Sequence, residues 1–145
     1  MKRFLLSLAI AASVSGCAIQ QSFSAGDYEL TPKAMSLLAS DFIPPLKREI
    51  PRSHQLELVE VSPEFTPLLE SELRNAGYAV TVVKRPNKQS PSRSVRYSLS
   101  PFDGPTVWAV MSVDKAFSVA RVYTIQGGTL RAAAPETIRY SEAGQ

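Results

Sequence analysis

The sequence has few of the residues from which chemical sites are most often built. It contains one cysteine and one histidine among 145 residues. The single cysteine excludes an intramolecular disulfide and a cysteine-based zinc cluster, and the single histidine excludes a multi-histidine metal site. The motifs of phosphate-cradling loops, zinc proteases and serine hydrolases are missing as well. We therefore expect a non-enzymatic protein with no catalytic residue, no metal and no bound cofactor.

The first residues have the pattern of a secretory signal peptide. Lys2 and Arg3 precede an apolar run at 4–14 of about 11 residues, which ends in small residues. A membrane-spanning helix needs roughly 20 apolar residues, so the short run favours a cleaved signal. Removal of residues 1–16 leaves 129 residues and lowers the formal charge from +3 to +1.

Cys17 stands where the signal would be cut. The segment Val14-Ser15-Gly16-Cys17 resembles the lipobox of bacterial lipoproteins, although Val14 is less typical there than leucine. The resemblance implies a diacylglycerol and an N-acyl chain, such as palmitate, on Cys17, and two or more chains form a durable anchor. The alternative is an ordinary cysteine in the signal of a soluble secreted protein.

The sequence after Cys17 predicts where the anchor holds the protein. Ala18, rather than aspartate, follows the cysteine. By resemblance to the sorting rule of bacterial lipoproteins, this favours the periplasmic face of the outer membrane. Residues 18–30 are polar and show neither helical nor alternating hydrophobic periodicity, so we expect a flexible tether.

The remaining chain alternates between helical and strand patterns. Met35, Leu38 and Phe42 recur at helical spacing after the start signal Thr31-Pro32, and we expect Pro44-Pro45 to end this helix. Similar patterns predict a second helix near 65–76 and strands at 56–61, 78–83, 95–99, 106–113, 116–125 and 129–132.

Two helices placed early among the strands, followed by a meander, indicate an α+β fold. We expect a small, mostly antiparallel sheet with the two helices packed on one face, preceded by the lipidated tether. The predicted organisation is a lipoprotein signal peptide at 1–16, a lipidated polar tether at 17–30, a periplasmic α+β domain at 31–134 and a C-terminal tail at 135–145.

The last long hairpin has apolar residues on both of its faces. If Asp114 and Lys115 form a two-residue turn, Val113 lies opposite Ala116, and Trp108 lies opposite Arg121 within reach of a cation–π contact. An aromatic face of this kind is either a partner surface or the core face under the helices, with the other face covered by the tail. The candidate residues are Trp108, Phe117, Val119, Arg121 and Tyr123.

The segment 84–96, which we call the basic stretch, contains no acidic residue and leads into the predicted strand at 95–99. It is either a solvated loop or a contact for an acidic protein partner or anionic headgroups. Direct DNA binding is less expected, since Tyr97 alone supplies a nearby aromatic ring. The candidate contact residues are Lys84, Arg85, Lys88 and Arg93.

Several segments, taken in order, carry a family resemblance. They are the lipobox ending at Cys17, the Pro44-Pro45 break, Leu73-Arg74-Asn75-Ala76-Gly77-Tyr78-Ala79 and Ala120-Arg121-Val122-Tyr123 before Gly127-Gly128. Together they resemble the TrbH conjugal transfer lipoproteins. The basic insertion at 86–93 is not part of the matching pattern.

The resemblance implies a component of the mating-pair-formation apparatus, a type IV secretion system that moves plasmid DNA between bacteria. It implies an anchoring or bracing role at the outer membrane, with other subunits of the complex as partners, no catalytic residues and no direct contact with DNA. The alternative is an outer-membrane lipoprotein that activates an envelope enzyme such as a peptidoglycan synthase.

Overall fold

A computed structural model describes residues 24–25, 28–114 and 116–141. Three of the predicted features lie outside these residues: the signal peptide at 1–16, the lipidated Cys17, and Lys115 of the turn. Within the described chain, no helix has both the length and the apolar character needed to cross a membrane.

Three helices and nine strands make up the described chain. The helices are α1 (Pro32–Asp41), α2 (Ile43–Glu49) and α3 (Thr66–Asn75). The strands are β1 (Ser24–Ala25), β2 (Tyr28–Glu29), β3 (Gln55–Val59), β4 (Ala79–Val83), β5 (Arg93–Pro101), β6 (Thr106–Val113), β7 (Phe117–Gln126), β8 (Thr129–Ala132) and β9 (Thr137–Tyr140).

The first predicted helix is divided into two. The Thr31 hydroxyl accepts a hydrogen bond from the backbone N–H of Ala34 at 3.2 Å and caps α1, as the start signal predicts. Pro44 and Pro45 were expected to end helical structure, but they lie in the first turn of α2. A proline is tolerated there, because the N–H groups of a first turn have no partner within the helix.

Seven strands form one sheet in the order β4-β3-β5-β6-β7-β8, with β9 also paired to β7. β3 runs parallel to β4 and β5, and α3 provides the crossover that joins β3 to β4. The other pairs are antiparallel. The predicted α+β fold with a mostly antiparallel sheet is therefore confirmed, whereas residues 137–140 of the predicted tail form a strand.

The core lies on one face of the sheet. Alternate residues of the strands are buried together with the apolar sides of all three helices, including Leu38, Leu46 and Leu69. Leu30, at the end of the predicted tether, is also buried. The helices thus cover one face, and the opposite face, which we call the outer face, carries the alternate residues of β5, β6 and β7.

Three tyrosine hydroxyls connect the core to the chain around the helices. The Tyr97 hydroxyl lies 2.7 Å from Thr66 Oγ1 and accepts from the Ser62 N–H at 2.9 Å. The Tyr123 hydroxyl donates to Asp41 Oδ2 at 3.0 Å, and the Tyr78 hydroxyl donates to the Ile50 carbonyl. Burial raises the pKa of all three phenols, and the negative charge of Asp41 raises that of Tyr123 further.

The raised tyrosine pKa values predict a loss of stability at alkaline pH. The folded state favours the neutral phenol, so its contribution is fully present below the ordinary pKa of about 10 and is lost as the pH rises through the folded value. Tyr123→Phe should lower the free energy of unfolding by about 1 kcal/mol at pH 7. Above pH 10, the free energy of unfolding should decrease less steeply with pH in this variant than in the parent. Urea unfolding followed by circular dichroism from pH 7 to 12 measures both effects. Tyr140→Phe is the surface comparison, because the Tyr140 hydroxyl also donates to a carboxylate, that of Glu49, but its side chain is 61% exposed. We expect a smaller response there, and an equal response would contradict the role of burial.

Candidate docking surface

The turn between β6 and β7 is longer than the sequence suggested. Val113 lies opposite Phe117, so three residues, 114–116, form the loop. Asp114 adopts a positive φ of 48°, and the N–H of Ala116 donates to the Val113 carbonyl at 3.0 Å. Aspartate tolerates this conformation better than most residues. The expected pairing of Val113 with Ala116 is therefore wrong by one residue.

A shift of one residue moves every side chain of a strand to the other face. Phe117, Val119 and Tyr123 consequently lie in the core, where each is at most 4% exposed. Trp108 lies opposite Val122 rather than Arg121, on the outer face. The structure therefore does not bring the five predicted surface residues together, and three of them belong to the core.

Arg121 lies at the border between core and surface. Its guanidinium is 3.4 Å from Asp41 Oδ2, and its Nε donates to the Ala134 carbonyl at 3.0 Å. The expected cation–π contact with Trp108 is replaced by one with Tyr123, at 5.9 Å from the ring centroid. Arg121 thereby links the end of α1 to the segment that follows β8.

The outer face carries an apolar groove of about 450 Å³, which we call the outer-face groove. Its floor consists of Trp108 and Val110 from β6 together with Ala120 and Val122 from β7. Phe102 stands at one side and meets Trp108 edge-on, with ring centroids 6.5 Å apart. Trp108 is 45% exposed and Phe102 is 65% exposed. Sequence reasoning missed Phe102, because it follows β5 at the start of a turn.

The far wall of the groove is the connection between β8 and β9. Ala134 and Pro135 of this connection line the groove, together with Thr137 at the start of β9. The bond from Arg121 to the Ala134 carbonyl and an ion pair between Arg48 and Glu136 hold this connection in place. The groove therefore has a defined wall, although no helix within 28–114 and 116–141 covers it.

Exposed aromatic side chains in an apolar depression are characteristic of protein interfaces. Large aromatic residues supply much of the binding energy where two proteins meet, whereas isolated exposed apolar residues are ordinary. Here Phe102 and Trp108 are adjacent and share one groove. The arrangement can bury an apolar segment of another chain.

The basic stretch forms a second, more polar cleft. Lys88, Arg93 and Arg96 line it together with Asp114. Arg93 pairs with Asp114, which also accepts a hydrogen bond from the Ser94 N–H at 2.7 Å. These contacts hold the loop between β6 and β7 to the start of β5. Lys84, Arg85 and Lys88 are exposed and make no ion pair within the described residues. Contact with an acidic partner or with headgroups stays a prediction for these residues.

The described residues show no arrangement suited to metal binding. No group of three or more histidine, cysteine, aspartate or glutamate side chains converges within 28–114 and 116–141. His54 Nδ1 lies 3.3 Å from the Pro51 carbonyl of its own turn. The outer-face groove is therefore the candidate site that the geometry supports best.

The chain was compared with known protein families, curated proteins and solved structures. A family model described as "Conjugal transfer protein TrbH" matches residues 18–141. Comparisons with curated proteins and with solved structures gave no match.

The burial of Phe117 and the exposure of Trp108 predict different costs of truncation. Phe117→Ala should lower the free energy of unfolding by about 3–5 kcal/mol, because it removes a ring from the core. Trp108→Ala should cost about 1 kcal/mol or less, since its ring is partly in solvent. Urea denaturation of both variants measures the difference. Equal losses would mean that Trp108 is a core residue.

The ion pair of Arg93 predicts that alanine substitutions within the basic stretch differ in their cost to stability. Arg93→Ala should cost about 1 kcal/mol, because it leaves Asp114 without its partner at a partly exposed site, and Lys88→Ala should lie within about 0.5 kcal/mol of the parent. Thermal melting at low and high salt measures both, and the Arg93 effect should shrink as salt rises. A larger loss for Lys88→Ala would contradict this assignment.

Proposed function

Because the chain belongs to the conjugal transfer protein TrbH family, we propose that it is a structural component of a conjugative type IV secretion apparatus. In this function it docks other subunits of the mating-pair-formation complex that carries plasmid DNA between bacteria. The DNA is the cargo of the whole apparatus and does not contact this chain.

The outer-face groove is the observation that carries the proposal. A subunit whose task is assembly needs a surface that gains stability when a partner covers it, and buried apolar area supplies that gain at roughly 25 cal/mol per Å². Trp108 and Phe102 offer such an area on the face that the helices leave open. The groove is bounded on one side by the connection between β8 and β9, so it favours a specific partner shape.

The proposal includes anchoring through Cys17 to the periplasmic face of the outer membrane. It is supported by the lipobox Val14-Ser15-Gly16-Cys17 and by Ala18 after the cysteine. The six residues 18–23, which precede β1, could span roughly 20 Å when extended. A lipid anchor with this reach would hold the groove within the periplasm, where it could meet other subunits.

An outer-membrane lipoprotein that activates an envelope enzyme, such as a peptidoglycan synthase, is the second candidate. Such a protein would need the same anchor and an exposed docking surface, so the groove suits it as well. The family match favours the transfer apparatus. The two candidates differ in the partner that the groove contacts.

Recovery of the anchored protein from conjugating cells distinguishes the two candidates. The full chain is purified from membranes after mild crosslinking, and bound proteins are identified by mass spectrometry. Subunits of the transfer apparatus should be recovered with the parent chain and be depleted with Trp108→Ala. Leu37→Ala, which truncates an exposed leucine on α1, is the matched control and should retain them. Recovery of cell-wall enzymes alone would contradict the proposed function.

Loss of the lipid anchor should change the membrane fraction in which the protein is found. Cys17→Ser removes the thiol that the acyl chains require, so the protein should no longer incorporate labelled palmitate and should leave the outer-membrane fraction. Plasmid transfer should fall on the order of tenfold or more, because the tethered domain loses its high local concentration at the assembly. Unchanged palmitate incorporation and fractionation would contradict anchoring at Cys17.

A further inference from the structure

The arginines of the outer face have a regular arrangement around the apolar groove. Strand register places a row of four outer-face positions across β5, β6, β7 and β9, with an arginine at each end and serines between. The row consists of Arg96, Ser112, Ser118 and Arg139. The next rows along the strands hold the apolar floor of the groove.

A third arginine borders the apolar rows at their other end. Arg131 on β8 lies opposite Thr124, which itself lies opposite Thr106. Successive rows on one face are separated by two residues, or about 7 Å along a strand. The apolar floor is therefore enclosed between the Arg96–Arg139 row and Arg131, roughly 20 Å away.

These guanidinium groups are available for an external partner. Arg96, Arg131 and Arg139 are exposed and form no ion pair with any described residue. Among the described residues that line the groove itself, two are arginines and none is acidic. Arg96 also lines the polar cleft, where the carboxylate of Asp114 is paired with Arg93. The carboxylate of Glu57 on β3 accepts a hydrogen bond from the Asn87 N–H.

From this charge pattern we propose that the outer-face groove binds a segment of a partner protein in which apolar side chains are flanked by aspartate or glutamate. The apolar side chains pack against Trp108 and Phe102, and the carboxylates meet Arg139 and Arg96. The proposal rests on the proposed function for the partner's identity as a transfer subunit. Its chemistry rests on the groove alone.

Apolar burial and charge complementarity contribute differently to this interaction. Burial of the aromatic rings supplies most of the affinity. Exposed ion pairs add little energy each, but complementary charges speed the encounter and reject partners of the wrong sign. Reversal of the arginine charges should therefore weaken binding more than their neutralisation does, and binding of the parent should weaken as salt rises.

Site-specific photocrosslinking in conjugating cells tests the proposal. A photoreactive phenylalanine analogue replaces Val122 on the groove floor of the full chain, and the crosslinked peptide is sequenced. We expect a segment with apolar residues flanked by carboxylates. The double change Arg96→Glu/Arg139→Glu should reduce the yield on the order of tenfold. Lys47→Glu/Lys33→Glu, at two exposed helix positions, makes the same change in net charge and should leave the yield unchanged.

The outcomes separate the groove chemistry from the proposed function. An acidic, apolar segment of a cell-wall enzyme would support the groove chemistry and contradict the proposed function. A segment without carboxylates, a second copy of this chain, or a yield that is insensitive to Arg96→Glu/Arg139→Glu would overturn the groove proposal. Each charge variant is melted alongside the parent, and a loss of yield counts only where the melting temperature is retained. The single change Arg139→Gln serves as the milder variant, with a smaller expected loss.

Discussion

The structure depends on the one-sided packing of its sheet. All three helices bury apolar residues against the same face of the sheet, where alternate residues of β3, β5, β6 and β7 form the core with them. The other face of β6 and β7 also carries apolar residues, among them Trp108 and Val122, and none of the described helices covers them. The described residues therefore have a packed core and an apolar outer face that stays accessible, and the proposed docking function requires both properties.

The core and the outer-face groove are joined through three connected polar contacts. Asp41 at the end of α1 accepts from Tyr123 and pairs with Arg121, and Arg121 also holds the Ala134 carbonyl. The helix packed on the core side is thereby connected to the wall of the groove on the other side. Because the wall is fixed from within, its shape is set before a partner arrives, which reduces the ordering cost of binding.

Local signals predicted much of this fold, and non-local pairing accounts for most of what they missed. The Thr31 cap and the alternation of β5 are present as expected. The length of the loop at 114–116 could not be predicted from sequence, because aspartate is compatible with two- and three-residue turns alike. The additional loop residue changes the strand register by one, and Phe117 therefore lies in the core. The strand at 137–140 depends on its pairing with β7, and nothing in its short sequence specifies that neighbour.

Trp108 is the one tryptophan of the chain, so its fluorescence reports directly on whether a partner covers the outer-face groove. The measurement compares emission and acrylamide quenching for the isolated full chain and for the purified transfer complex in which the other subunits lack tryptophan. If a partner covers the groove, Trp108 emission should be red-shifted and readily quenched in the isolated chain, and blue-shifted and protected from quenching in the complex. Emission that is already protected in the isolated chain, or that stays exposed in the complex, would contradict docking at the groove.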